Sequence, residues 1–336
     1  MLFVKIFCAC CCVSSVFSVS EEQAPPYIYR QGEAVEKNNP RNRFTVLTLN
    51  TCMMDGELPT RYGGMIPFVE HTNGELRRVD RVARYILNKN PDIFCGQEVM
   101  LNSGEELYQK LRDRYTHFWV GIGNEPGQKQ SGLFVASKLP FQGVPQFVPF
   151  LVEEQIAPEF LPPEGRLIYR GFFYIDMGEF YIVTTHLEAG NDRNGGTACR
   201  IHQLDLITAH MDRLGKPYML LGDLNIERTG QENDEYSRSR IASDYYDQYT
   251  IQNPGFDETT FTCTNLFTAA AAGKEIPMNP SLVNEIDDYV LIRKGGELFF
   301  RDLKIQLHGD TYRVDRPREE AITDHKAYEA SFEFIR

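Results

Sequence analysis

Tyr218-Met219-Leu220-Leu221-Gly222-Asp223-Leu224-Asn225-Ile226 is the stretch on which the reading of this chain turns. Tyr218 to Leu221 is a short apolar run of the kind that forms a buried strand. Gly222 then lets the backbone turn. Asp223 and Asn225 follow two positions apart, and side chains two apart in an extended segment point the same way. A carboxylate and a carboxamide are therefore presented together at the end of a strand. One accepts protons and the other donates or accepts hydrogen bonds, a pairing suited to a metal-bound phosphate and an attacking water.

The same arrangement recurs outward from this point. Thr48-Leu49-Asn50 closes an apolar strand beginning at Arg43, and Gly96-Gln97-Glu98 closes one beginning at Asp92. Thr184-Thr185-His186-Leu187-Glu188 ends another, Asp287-Asp288-Tyr289 lies within a late strand, and Thr323-Asp324-His325 just precedes the last. Strand ends converge at one edge of a sheet, where active sites collect while the core stays apolar.

The remaining pattern fills in the elements. Strands are expected at Phe118–Gly121, Gly132–Ser137, Leu167–Asp176, Phe180–His186, Thr259–Cys263, Glu285–Ile292 and Tyr328–Phe334. Apolar positions Leu76, Val79, Val82, Ala83, Ile86 and Leu87 have helical spacing over residues 75–89. Ser103 and Glu106 have the form of a capping box and predict a helix from there to about Tyr115. A third helix is expected from Ala198 to Leu214, stopped by Gly215 and Pro217. No internal repeat breaks the chain, and one α/β domain of two packed sheets with outer helices fits this order.

Composition is that of a soluble globular protein. The 336 residues are 42% hydrophobic and 24% charged, enough to bury a sizeable core. Residues 1–20 stand apart: an apolar stretch with the single charge Lys5 ends in Ser18-Val19-Ser20 and reads as a secretory signal peptide, an uncleaved anchor being the lesser reading. Residues 21–42 are polar and contain Pro, and read as a loose arm before a single domain over 43–336. Cys8, Cys10, Cys11 and Cys12 lie in the leader; Cys52, Cys95, Cys199 and Cys263 match no zinc spacing, and no disulfide framework is expected. The net charge is −12, and becomes −13 without the one Lys of the leader. So acidic a chain lacks the broad positive field that supports nucleic-acid binding.

The clusters assign candidate roles. Asn50 and Glu98 are hard oxygen ligands for Mg²⁺, or for Mn²⁺ or another divalent cation in its place. His325 is a candidate general base for water, its ring oriented by Asp324 or Asp288. His186 is a donor to phosphoryl oxygens or to the leaving group, and Asp223 and Asn225 hold water and phosphate in line. Asp287 and Asp288 compete for one role, and Asp288 is favoured. His71, His117, His202, His210 and His308 belong to no cluster and read as surface or core residues.

In order and kind, Asn50, Gln97-Glu98, His186, Gly222-Asp223-Leu224-Asn225, Asp288-Tyr289 and Asp324-His325 resemble the motifs of the endonuclease/exonuclease/phosphatase superfamily, over residues 43–336. The resemblance implies a four-layer α/β sandwich, DNase I-like, with two packed mixed sheets flanked by helices, and a divalent metal, usually Mg²⁺. Further segments look like the neutral and bacterial sphingomyelinase branch: Gln97-Glu98-Val99, Gly121-Ile122-Gly123, Ser131 to Ser137, Arg170-Gly171, Thr185 to Ala189, Arg200-Ile201-His202-Gln203-Leu204 and Glu232 to Tyr236. That branch implies Glu98 and Asn50 at the metal, Asp223 and Asn225 near phosphate and water, and His186 and His325 in acid–base work. It also implies a sphingomyelin-bearing membrane surface as partner, a secreted nuclease or a phosphoinositide phosphatase of the same superfamily being the alternative, and the chain is expected to be a monomer. Candidate membrane-contact segments are Phe147–Leu151 with Phe160-Leu161, and Leu266–Met278. Two departures stand out: Lys326-Ala327 replaces an aromatic-Pro pair after the final Asp-His, and Asp287 doubles the Asp before Tyr289. Residues 56–73 align poorly with the family.

Overall fold

Tyr218–Arg228 does form a strand, and it runs through the middle of a six-stranded sheet. The computed structural model describes residues 28–31, 43–53, 57–59, 65–67, 78–120, 131–150, 170–189, 195–228, 234–253, 286–308, 311–315, 318–321 and 325–335. Along these run β1 (Ile28–Gln31), β2 (Arg43–Met53), the hairpin β3 (Glu57–Pro59) and β4 (Met65–Pro67), α1 (Arg78–Lys89), β5 (Ile93–Val99) and α2 (Leu101–Leu111). Next come β6 (His117–Val120), β7 (Phe134–Ser137), β8 (Gln146–Pro149), β9 (Gly171–Asp176), β10 (Tyr181–His186), α3 (Gly196–Leu214) and β11 (Tyr218–Arg228). Three short helices, α4 (Glu235–Arg238), α5 (Ile241–Asp244) and α6 (Gln248–Gln252), surround β12 (Tyr245–Tyr246). The chain closes with β13 (Ile286–Arg293), β14 (Phe300–His308), the hairpin β15 (Thr311–Asp315) and β16 (Arg318–Ala321), and β17 (Ala327–Phe334).

Two mixed sheets result. One has the order β1-β6-β7-β5-β2-β17-β14, the other β12-β13-β11-β10-β9-β8. Each contains one parallel pair, β2 with β5 and β10 with β11. Parallel neighbours need a crossover connection, and helices α1 and α3 supply the two. Alternation in β2 then sorts the layers. Leu47 and Leu49 face outward with Phe94 onto Val82, Ile86 of α1 and Leu107, Leu111 of α2, while Val46 joins Ile93 and Cys95 in the core between the sheets. Leu204, Ile207 and Met211 of α3 pack on the second sheet. The architecture is the four-layer α/β sandwich, helices outside and two sheets within.

Several elements differ from expectation. Helix α2 begins at Leu101, two residues before Ser103, and its N-cap Met100 makes no side-chain cap bond. The amide of Gly104 already closes a turn on the carbonyl of Met100, so Ser103 sits inside the helix and no capping box forms. The helix also stops at Leu111 rather than near Tyr115, whose hydroxyl donates to the carbonyl of Pro91. Within the expected arm, Ile28–Gln31 pairs antiparallel with β6, because the open edge of β6 offers unpaired backbone groups. Strand β14 had no clear signal: it is an edge strand with Arg301, Asp302, Lys304 and Gln306 on its length. Cys95 and Cys199 are buried free thiols, and Cys52 is buried. Residues 75–77, 167–169, Thr259–Cys263, Phe160-Leu161 and Leu266–Met278 lie outside the described residues, whereas Phe147–Pro149 belongs to the half-buried edge strand β8. No helix among the described residues is long and apolar enough to cross a membrane.

Candidate active site

The parallel and antiparallel registers deliver the polar residues to one place. His186 lies opposite Asp223 across β10 and β11, and Asp223 lies opposite Asp288 across β11 and β13. In the other sheet Asn50 lies opposite Gln97. The two sheets are then joined side chain to side chain, Asn50 Nδ2 donating to Asp223 Oδ2 at 2.9 Å. Gln97 Nε2 adds a second link, donating to Thr48 Oγ1 at 3.1 Å within its own sheet and to Thr184 Oγ1 at 3.2 Å in the other. Gly222 leaves room at this point: its φ is +135°, and a Cβ there would stand 2.1 Å from the carbonyl oxygen of Thr185 on the adjacent strand and 3.2 Å from Gln97 Nε2 of the other sheet.

Asp223 is the hub. It is 1% exposed, and its Oδ2 lies 3.6 Å from His186 Nε2 and 3.8 Å from His325 Nε2. Its Oδ1 accepts the backbone amide of Asn225 at 2.9 Å. Burial and the neighbouring Asp288 carboxylate push the Asp223 carboxyl up to about 6, against the pull of His325, Asn50 and the Asn225 amide. Asn225, at φ +50°, turns its side chain so that Nδ2 donates to the carbonyl of Leu187 at 3.2 Å. His325 Nδ1 bonds Asp288 Oδ2 at 2.7 Å. Of the carboxylates expected to orient that ring, Asp288 holds it, and Asp324 lies outside the described residues. A carboxylate on Nδ1 fixes the ring tautomer and leaves Nε2 as the proton acceptor facing the site.

His186 is buried, and desolvation, then the Arg170 and His325 charges, hold its imidazole well below the ordinary 6.5. It is therefore neutral at physiological pH. The residue that sequence reading left without a role here is Arg170. Its Nη1 donates to the carbonyl of His186 at 3.1 Å and its Nε lies 3.7 Å from Glu188. Arg200 continues the buried charge network, bonding Glu235 through Nε at 2.7 Å and the carbonyl of Glu188 through Nη1 at 2.9 Å. The Arg170-Gly171 and Arg200–Leu204 fragments were the available signal, since a charged residue beside a buried strand needs a partner.

Glu98 is half-buried with φ +55°, and the inside–outside alternation of β5 slips there: Gln97 points between the sheets, yet Val99 packs in the outer core. Glu98 and Asn50 thus sit at the ends of adjacent parallel strands. Asp223, Asp288 and His325 form a second donor set, with ligand atoms all within 4.8 Å of one another. The tight Asp288–His325 bond favours a base dyad over ligation of a cation by all three. Carboxylates and a carboxamide are the donor chemistry a hard divalent cation takes, and two buried carboxylates are the negative charge it offsets. The residues present fit such an ion. Among the unclustered histidines, His117 is buried, His210 packs between Phe172 and Tyr174, and His308 pairs with Glu329.

The sequence matches the profile of the Endonuclease/Exonuclease/phosphatase family over residues 50–325. No curated protein matches the chain by sequence. Among solved structures, SmcL is 18% identical with a TM-score of 0.61, the match covering 87% of this chain and 99% of that one. TDP2 from Caenorhabditis elegans is 18% identical with a TM-score of 0.55, over 87% and 98% of the two chains. A double mutant of beta toxin from Staphylococcus aureus, solved with bound magnesium ions, is 14% identical with a TM-score of 0.55, over 85% and 98%. These likenesses establish the shared fold.

Proposed function

This chain belongs to the endonuclease/exonuclease/phosphatase family of metal-dependent phosphoesterases, and we propose that it is an exported, Mg²⁺-dependent phosphodiesterase that hydrolyses sphingomyelin to ceramide and phosphocholine. The observation that carries the phosphodiesterase reading is the Asp288–His325 dyad, 2.7 Å across, with Nε2 of His325 turned to the cluster of Asp223, Asn50 and His186. The sphingomyelinase-like segments support the substrate, and the charge of −12 weighs against a polyanionic one. The apolar leader of residues 1–20 supports export.

The residues divide the chemistry. His325 takes a proton from a water on Nε2 while Asp288 steadies the resulting imidazolium. That water attacks phosphorus, the bond to the ceramide oxygen breaks, and the oxygen leaves as the alcohol on taking a proton from solvent, while His325 returns its proton to solvent. Asp223 and Asn225 hold the water and phosphoryl group in line. Neutral His186 donates to a phosphoryl oxygen or the departing oxygen without adding charge to the site. A divalent cation held by Glu98 and Asn50 would supply charge neutralisation at the phosphoryl oxygens.

The test is hydrolysis of sphingomyelin vesicles, phosphatidylcholine vesicles and plasmid DNA by the purified protein, with Mg²⁺ and with EDTA. Mg²⁺-dependent release of phosphocholine from sphingomyelin alone is expected. Cleavage of DNA instead would move the protein to the nuclease branch with the same catalytic residues.

A further inference from the structure

The register of β11 against β13 changes between Asp223 and Arg228: Asp223 pairs with Asp288, but Arg228 pairs with Ile286. Four residues on β11, Leu224 to Glu227, therefore stand against the single residue Asp287. Such a bulge leaves backbone groups of both strands without ladder partners and re-aims the side chains it carries. Asn225 rides on it, at a positive φ that an isolated strand would not adopt.

Tyr289 closes this irregularity from the opposite strand. Its hydroxyl reaches two backbone carbonyls, that of Ile226 at 2.5 Å and that of Ile286 at 3.0 Å. One belongs to the bulge and the other to the strand it departs from, so a single proton shared between them ties the two. The side chain is 2% exposed and its ring lies parallel to Tyr236, 6.0 Å between centroids. Burial raises the phenol well above its ordinary 10, so at any physiological pH it acts as a donor. On the other side, Asn225 is fixed by its amide on Asp223 and its Nδ2 on Leu187. The bulge is thus clamped at both ends, and the β13 clamp depends on one hydroxyl group.

We infer that Tyr289 is a positioning residue, which holds the bulge so that Asn225 is presented to the phosphoryl group; this rests on the phosphodiesterase reading above. A ring serving only to fill the core would act equally well as Phe.

The experiment compares the full chain with Tyr289→Phe, Asn225→Ala and the double variant. Hydrolysis of bis(p-nitrophenyl) phosphate and of sphingomyelin vesicles is followed with Mg²⁺, and amide hydrogen exchange is read over residues 222–228 and 285–289. Tyr289→Phe is expected to lower kcat about tenfold with KM within about twofold, the scale of one buried hydrogen bond. Exchange should quicken in those two segments and stay unchanged in β10. The double variant should lose no more kcat than Asn225→Ala alone, because the two act through one geometry. Losses that multiply would overturn the inference, as would wild-type kcat in Tyr289→Phe. Unchanged exchange would overturn the clamp itself, independent of any activity. A wild-type chain inactive on both substrates would overturn the phosphodiesterase reading and take the catalytic part of the inference with it.

Discussion

Strand β11 changes character at Gly222. Before it, Tyr218 to Leu221 are apolar and almost without exposure, all paired with β10 and Met219 to Leu221 with β13 as well. After it, Asp223 is a buried acid, Asn225 has a positive φ and the register slips. Strands β2 and β5 change in the same way at Asn50 and Gln97, and Cys52 and Glu98 have positive φ just beyond. The regular halves are where hydrophobic burial and hydrogen bonding agree. The rim is where they conflict, and strained backbone and buried charge persist because the regular halves hold them in place. The lesson is that one strand can be divided between stability and chemistry, and that each half should answer to a different measurement.

The junction itself has the largest expected effect. Gly222→Ala puts a Cβ 2.1 Å from a backbone oxygen at φ +135°, which neither half can accommodate. The expected cost exceeds about 4 kcal/mol, seen as loss of the cooperative thermal transition together with activity. A folded, active Gly222→Ala protein would break the division at its root. A pair of variants then separates the halves. His325→Ala should lower kcat about 10²–10⁴-fold while the chain keeps its cooperative thermal transition. Leu220→Ala, a fully buried side chain in the regular half of β11, should cost about 2–5 kcal/mol of stability while the molecules still folded keep their kcat. Measuring both quantities on both variants gives a cross-over, and a parallel loss in the two would contradict it.

How much of this was readable beforehand follows the same line. The regular halves announced themselves: the apolar runs into Asn50, Gln97, His186 and Asp223 have strand signals, and α3 ends at Gly215 in the left-handed conformation as its glycine implied. The rim residues were readable by type, because an acid, amide or histidine after an apolar run has few reasons to be there. Their conformations were not. Nothing local to Glu98 or Asn225 specifies a positive φ, which arises from bulges against partner strands far along the chain. The Arg170 bond to the His186 carbonyl is likewise a contact between strands. Short helices such as α4 and α6 rest on single caps, Asp234 and Asp247, too little pattern to register. Edge strand β14 lacks the apolar alternation of an interior one, and the Ser103 capping box was outranked by a helix that begins directly from β5.

A smaller effect sharpens the contrast through Asp223. Its folded-state carboxyl, at about 6, stands above the ordinary 3.8. The folded protein therefore binds more protons than the unfolded chain between these values, and stability falls as pH rises through that window. Asp223→Asn removes the charge but keeps an acceptor for the Asn225 amide. In EDTA it should raise stability by about 1–3 kcal/mol at pH 7, with no gain at pH 3.5, and abolish turnover. Denaturant titrations at the two pH values check the sign, and a destabilised variant at pH 7 would mean that Asp223 supports the fold rather than burdening it.

The smallest effect should have the opposite sign, because Glu329 lies away from the rim. Its Oε2 is 3.2 Å from His308 Nε2, and Lys89 Nζ lies 3.2 Å from Nδ1 of the same ring. A lysine donating to Nδ1 leaves the ring proton on Nε2, directed at the carboxylate. The bond from His308 holds the Glu329 carboxyl below its ordinary 4.5, outweighing its partial burial. For a depressed carboxyl the stabilisation is present above the unfolded value and is lost as pH falls through the folded one. Glu329→Gln should therefore cost about 0.5 kcal/mol at pH 7 and nothing at pH 3, with kcat unchanged. Two carboxylates in one protein would then titrate stability in opposite directions, one because chemistry requires it to be buried against another acid and the other because it is free to choose a partner.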